Sequence, residues 1–178
     1  METTQMVQQA RPSLPVAVGE QGTEQQQYLT FSLGEEMFAI GILSIREIIE
    51  YGQVTEVPMT PPFIRGVINL RGAVVPVVDL AVRFERQPRE TTKRTCIVII
   101  EVDTPRGLQD MGIVVDSVSE VLEIAAADIE QAPEFGSRIR NDFIAGMGKV
   151  EGRFVVLLNV DHILSLEEVA VLGNLGQS

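Results

Sequence analysis

The side chains able to do chemistry are few and far apart. Cys96 is the one cysteine and His162 the one histidine in 178 residues. A lone thiol excludes an internal disulfide and any multi-cysteine metal site, and a lone imidazole excludes a histidine-based metal centre. Cys96 sits in RTCIVIIEV, where a free cysteine is expected to act as a small buried hydrophobe. His162 follows Asp161 at an expected helix start and reads as structural. The stretch GMGKVEG, residues 146–152, resembles a phosphate loop, but its spacing is not GxxxxGK followed by Ser or Thr. The apolar run FVVLLNV also follows it, where phosphate binding would need a helix N-terminus. Glu47 and Glu120 occupy matched places in a repeat, and nothing places them across one cleft, as paired catalytic carboxylates require. No catalytic residue, metal or cofactor is expected, so the chain reads as a non-enzyme. One charge stands out: Arg71, in the middle of the apolar stretch IRGVINLRGAVVPVVDL at 64–80.

The totals narrow the partners. With 25 acidic against 14 basic residues the formal net charge is −11, and such a surface repels a phosphate backbone. The chain has two Tyr and no Trp, so a nucleic-acid-binding barrel of the OB type, which needs basic grooves and stacking aromatics, is disfavoured. No basic segment followed by an apolar core opens the sequence, and no apolar run reaches the ~18 residues that span a bilayer. The expectation is a cytoplasmic protein with no direct membrane insertion. Residues 1–27, rich in Gln, Thr, Pro and Gly, read as a disordered leader, and 173–178 as a flexible tail.

The elements that position Arg71 emerge from an internal repeat. FAIGILSIREIIEY at 38–51 aligns with MGIVVDSVSEVLEI at 111–124 at an offset of 73. FIRGV at 63–67 aligns with FIAGM at 143–147, and AVVPVVDL at 73–80 with RFVVLLNV at 153–160, at an offset of 80. Blocks in the same order with glycines in register indicate two copies of one small β-unit. Each copy reads as an opening hairpin (28–33 with 37–42; 95–102 with 111–116), a short helical turn or kink at Ser44–Glu47 or Ser117–Glu120, a further strand, and a closing hairpin hinged at Gly72 or Gly152. Pro76 inside a strand-like run suggests an edge or a bulge. Five short strands in about 60 residues fit a small closed barrel, which removes exposed edges. The expected fold is all-β, two tandem five-stranded barrels at roughly 28–88 and 93–162. HILSLEEVAVL carries helical spacing and reads as a closing helix over roughly 161–172.

Residues 28–172 resemble the CheW family of chemotaxis coupling proteins. The motifs that carry the resemblance are FSLGEEMFAIGILSIREII, PPFIRGVINLRGAVVPVVDL with the RF that follows, GIVVDSVSEVL, and the APEF loop. It implies two SH3-like barrels, in keeping with the repeat. It also implies an adapter, recruited to membrane-associated receptor arrays, that bridges the cytoplasmic tips of methyl-accepting chemoreceptors to the regulatory domain of the histidine kinase CheA. Ile45, Gly66, Gly112, Val118 and Val121 match family positions for receptor coupling, lining or shaping a groove between the barrels. Glu47 and Arg71 match a charged pair near that surface, and Phe135 an aromatic at the kinase or array contact. The same parts could serve a non-chemotactic receptor–kinase pathway, because the partner chooses the pathway.

The repeat separates Arg71 from its neighbour. Gly72 is matched by Gly152, whereas Arg71 is matched by Glu151. The glycine therefore reads as turn architecture common to both units, and the arginine as something only the first unit uses.

Overall fold

In the computed structural model, residues 25–131 and 143–163 are described. The strands in chain order are β1 Gln25–Leu33, β2 Glu36–Gly41, β3 Ile45–Glu50, β4 Ile64–Leu70, β5 Ala73–Asp79, β6 Cys96–Thr104, β7 Gly107–Val115, β8 Ser117–Ala125, β9 Ile129–Glu130, β10 Ile144–Val150 and β11 Arg153–Leu158. One short helix, α1, spans Leu80–Arg83 after β5. The all-β, two-barrel class expected from the sequence is the one found. The 164–172 part of the closing helix, the tail and residues 1–24 lie outside the described residues.

The barrels are not the two consecutive halves. One sheet runs β3-β6-β7-β5-β4 and the other β8-β1-β2-β11-β10-β9. The first is therefore a contiguous unit, 45–115, and the second combines 25–41 with 117–158. The boundaries 28–88 and 93–162 are corrected accordingly: each copy of the repeat gives its opening hairpin to the sheet of the other. The chain changes sheet at the 3-10 turn Ile42–Ser44, which leads β2 of one sheet directly into β3, paired with β6 in the other. The exchange is symmetric in register. The parallel pairing of Val77 with Gly112 in one sheet is matched by Leu157 with Ala39 in the other.

Three apolar clusters follow from strands buried on both faces, which is why β6 and β7 read as continuous apolar runs. Ile97, Ile99, Val75, Val77 and Ile68 fill the 45–115 barrel. Ala39, Ile124, Val155 and Leu157 fill the other. Alternate residues of the same strands, among them Phe31, Phe38, Val98, Ile100 and Ile113, form a central core between the two sheets. That shared core holds the barrels to each other.

Local expectations are corrected in four places. β1 begins at Gln25, inside the expected leader, because Gln25–Gln27 pair along Ala125–Glu123 of β8. At Ser44–Glu47 and Ser117–Glu120 the kink, not the helical turn, is what forms: the 3-10 turn ends at Ser44, and the strands that follow break register between Ile45 and Glu47 in β3 and between Val118 and Val121 in β8. The hairpin expected at 95–102 and 111–116 is longer than that, its strands reaching Thr104 and starting at Gly107, which pair with each other. Pro76 lies in β5 between two neighbours, but the parallel ladder to β7 begins only at Val77, so its missing N–H costs no ladder bond.

Candidate partner-binding site

Arg71 and Gly72 form the two-residue turn between β4 and β5, both with positive φ (53° and 89°). Glu151 and Gly152 repeat this geometry at 51° and 79°. Such a turn matches the twist of its strands, and Asn69 accepts a hydrogen bond from the Gly72 N–H at 2.9 Å through its Oδ1. The turn lifts Arg71 out of the apolar stretch into solvent. Its guanidinium pairs with the carboxylate of Glu47 on β3, and the hydrogen bond and charge of Glu47 raise the arginine's pKa further. β3 and β4 are the two ends of their sheet, so this ion pair spans the closure of the barrel. At the corresponding places of the other barrel stand Glu120 and Glu151, like charges that cannot pair.

Ile45 opens β3 opposite Ile100, and Val118 lies near the start of β8 opposite Phe31. Both are half-buried and pack against the central core. They mark the seam between the sheets. Val121 is 44 % exposed on β8, and its repeat partner Ile48 is 42 % exposed on β3. Ile45, Glu47 and Arg71 thus belong to one corner of the 45–115 barrel, and Val118 and Val121 to the edge strand of the other.

The two glycines are buried instead. A Cβ on Gly66 would lie 2.2 Å from the Thr55 carbonyl oxygen, and its φ is +152°. It sits at a β-bulge in β4, where Thr55 bonds Val67 in both directions at 2.8 Å. A Cβ on Gly112 would lie 2.7 Å from Ile97 Cγ2 inside the barrel. Both shape the site from behind rather than line it. Phe135 lies outside the described residues.

The sequence reading missed two features. Leu43, in the crossover turn beside Ile45, is 98 % exposed. Arg65 donates to the Asp79 carboxylate (2.6 Å from Nη2) and to the Tyr51 hydroxyl (2.9 Å from Nη1). Asp79 is 4 % exposed and also caps α1 by accepting from the Val82 N–H. The signal available was the one that singled out Arg71: Leu43, Arg65 and Asp79 are matched in the second copy by Asp116, Ala145 and Asn159.

Reactive groups are not gathered here. Among the described residues no three of His, Cys, Asp and Glu are placed to hold a metal. Cys96 is half-buried at the start of β6 rather than fully buried, and burial first, then the charge of Glu50, raises its thiol pKa. His162 ends a 3-10 turn with Nδ1 at 3.3 Å from Asn159 Nδ2. Among the described residues no helix is long and apolar enough to cross a membrane.

Comparison with known proteins fits this arrangement. The CheW-like domain family matches residues 27–168. The chemotaxis protein CheW of Klebsiella aerogenes is 39 % identical over 153 residues, covering 86 % of this chain and 90 % of that one. Protein FrzA of Myxococcus xanthus is 27 % identical over 150 residues, covering 83 % and 91 %. The crystal structure of the scaffolding protein TtCheW from Thermoanaerobacter tengcongensis superposes with a TM-score of 0.73 at 29 % identity, covering 86 % of this chain and 96 % of that one. The repeat, the paired barrels and the match over most of its length place this chain in the CheW family.

Proposed function

We propose that this protein is a non-catalytic adapter of chemotaxis signalling, coupling chemoreceptor cytoplasmic tips to the regulatory domain of the histidine kinase CheA within membrane-associated arrays. The observation that carries the reading is the 39 % identity to a chemotaxis CheW protein over 86 % of the chain. Ile45, Val118 and Val121 are the contact residues for the receptor, with Glu47 and Arg71 at their margin and Gly66 and Gly112 holding the backbone that presents them. Phe135 is the kinase or array contact. Signalling in this scheme is a change of contact geometry between proteins, and the central core shared by the two barrels supports it, because it ties the receptor and kinase surfaces to one packed unit.

Reconstitution of receptor tips and kinase, with and without this protein, tests the reading through kinase autophosphorylation and co-sedimentation. Addition is expected to bring both partners into one pellet and to place the kinase under receptor control. An unchanged kinase rate together with no co-sedimentation would sink the proposal. A second reading, the same coupling in a non-chemotactic pathway, is supported by the relative that carries the name FrzA; neighbouring genes distinguish the two.

A further inference from the structure

A pocket of about 260 Å³ opens between the second sheet and the segment that follows α1, and it shares no residue with the coupling set. Met147, Val156 and Leu158 of β10 and β11 form its floor. Phe38 of β2 forms one wall. Phe84 and Phe143 stand over it, with ring centroids 5.8 Å apart for Phe38–Phe84 and 5.9 Å for Phe84–Phe143. Its polar lining is Glu36 and Arg86, which form an ion pair with each other at the mouth.

The walls are held in place before any ligand arrives. Phe84 N–H donates to the Leu80 carbonyl at 3.0 Å, and Arg86 N–H to that of Ala81 at 2.9 Å. Glu85 between them takes a positive φ of 64°, the conformation that ends a helix. Phe84 therefore projects from a capped helix end rather than a free loop, and Phe38 from strand β2.

We propose that this pocket binds a small neutral aromatic molecule of one or two fused rings. Volume sets the size: apolar cavities of about 150 Å³ stay dry and accept benzene, and this one is larger. The three phenylalanine rings select for an aromatic guest through offset and edge-to-face contacts. The self-paired Glu36 and Arg86 leave no spare charge for an ionic guest, which would lose its hydration without a partner. The site lies where ligand pockets tend to form, between units contributed by different parts of the chain.

Indole serves as the neutral probe and benzoate as the charged control, each titrated into the full chain carrying methyl labels. Indole is expected to shift the methyl signals of Met147, Ile144 and Leu158 and to give ring-to-methyl nuclear Overhauser contacts there, with benzoate at least tenfold weaker. Met147→Trp, which fills the floor, and Val156→Phe are each expected to weaken indole binding at least tenfold. The contacts in the unmodified chain decide the matter even if neither variant folds. No contact to these methyls at indole saturation overturns the proposal, as does a folded variant that binds indole as the parent does, or benzoate binding equal to indole.

Discussion

The guanidinium of Arg71 and the carboxylate of Glu47 meet across the closure of the 45–115 barrel, 24 residues apart in the chain. Arg71 is highly exposed, with a side-chain accessibility of 73 %, so the pair is a surface ion pair of the kind that adds little to stability. Arg71→Ala is expected to leave thermal unfolding essentially unchanged while impairing receptor–kinase coupling in the reconstituted assay. Exchanging the charges, with Glu47→Arg and Arg71→Glu together, separates two roles. Restored coupling would mean the pair acts within the barrel; continued loss would mean that Arg71 itself meets a partner.

Gly66 and Gly112 predict a graded loss of fold. Gly66→Ala sets a Cβ into the Thr55 carbonyl and asks a side chain to hold φ +152°, so a loss of about 3 kcal/mol or more is expected. Gly112→Ala clashes with a side-chain methyl rather than backbone, Ile97 Cγ2 at 2.7 Å, with Ile99 and Val77 next at 3.4 and 3.6 Å, and should cost about 1–3 kcal/mol as an overpacked core does. Denaturant unfolding measures both. Equal, small effects would show that the closure at Thr55 yields easily, and any coupling defect at these positions would then have to arise at the surface.

Arg65 and Asp79 form a partly buried ion pair, with side-chain accessibilities of 23 % and 5 %. Arg65→Ala removes two charge-assisted bonds from a nearly buried carboxylate and is expected to destabilise by about 2 kcal/mol, below the figure for a fully buried pair because solvent reaches the guanidinium. Adding Asp79→Asn recreates the Ala and Asn found at 145 and 159 of the second copy. The double variant should recover part of the loss. If it is as unstable as the two single losses added together, the pair is not the coupled unit described above.

Cys96 gives a dependence on pH. Burial, and after it Glu50, raises the thiol pKa, so at pH 8 a smaller fraction is thiolate than in free cysteine. Alkylation by iodoacetamide should run slower than on a cysteine peptide, and the half-point of its pH profile should lie higher. The sign for stability follows: the folded form favours the neutral thiol, so this contribution is intact below the ordinary thiol range and is lost as pH rises through it. A rate equal to the peptide's would contradict the burial assigned to Cys96.

The repeat made much of this legible. Offsets of 73 and 80 identified equivalent strands, and the mismatch of Arg71 with Glu151 marked the residue that proved to bridge the barrel. Which copy each hairpin joins was not legible, because Ala39 and Gly112 fit the interior of either barrel and apolar periodicity is blind to the partner. The chain changes sheet at the Ile42–Ser44 turn, and a three-residue segment carries no apolar pattern to read. The Arg65–Asp79–Tyr51 network was hidden for another reason. Its members are 14 residues apart along each arm, and only the bulge at Gly66 makes them neighbours. Phe135 remains a proposal from resemblance.

The exchanged hairpins also order events during synthesis. All strands of the 45–115 barrel leave the ribosome in one contiguous run, so its sheet can close while the chain is still growing. Strands β1 and β2 emerge earlier still, yet their partners β8 and β11 begin at Ser117 and Arg153. The first-made hairpin must therefore wait, with the apolar faces of Phe31, Phe38 and Ile40 unsheltered by their own sheet, until nearly the whole domain has been translated. Long-range pairing of this kind is slow and prone to association. Any chaperone acting on the nascent chain is expected to hold the β1–β2 hairpin, and the emergence of β11 ends the need for it.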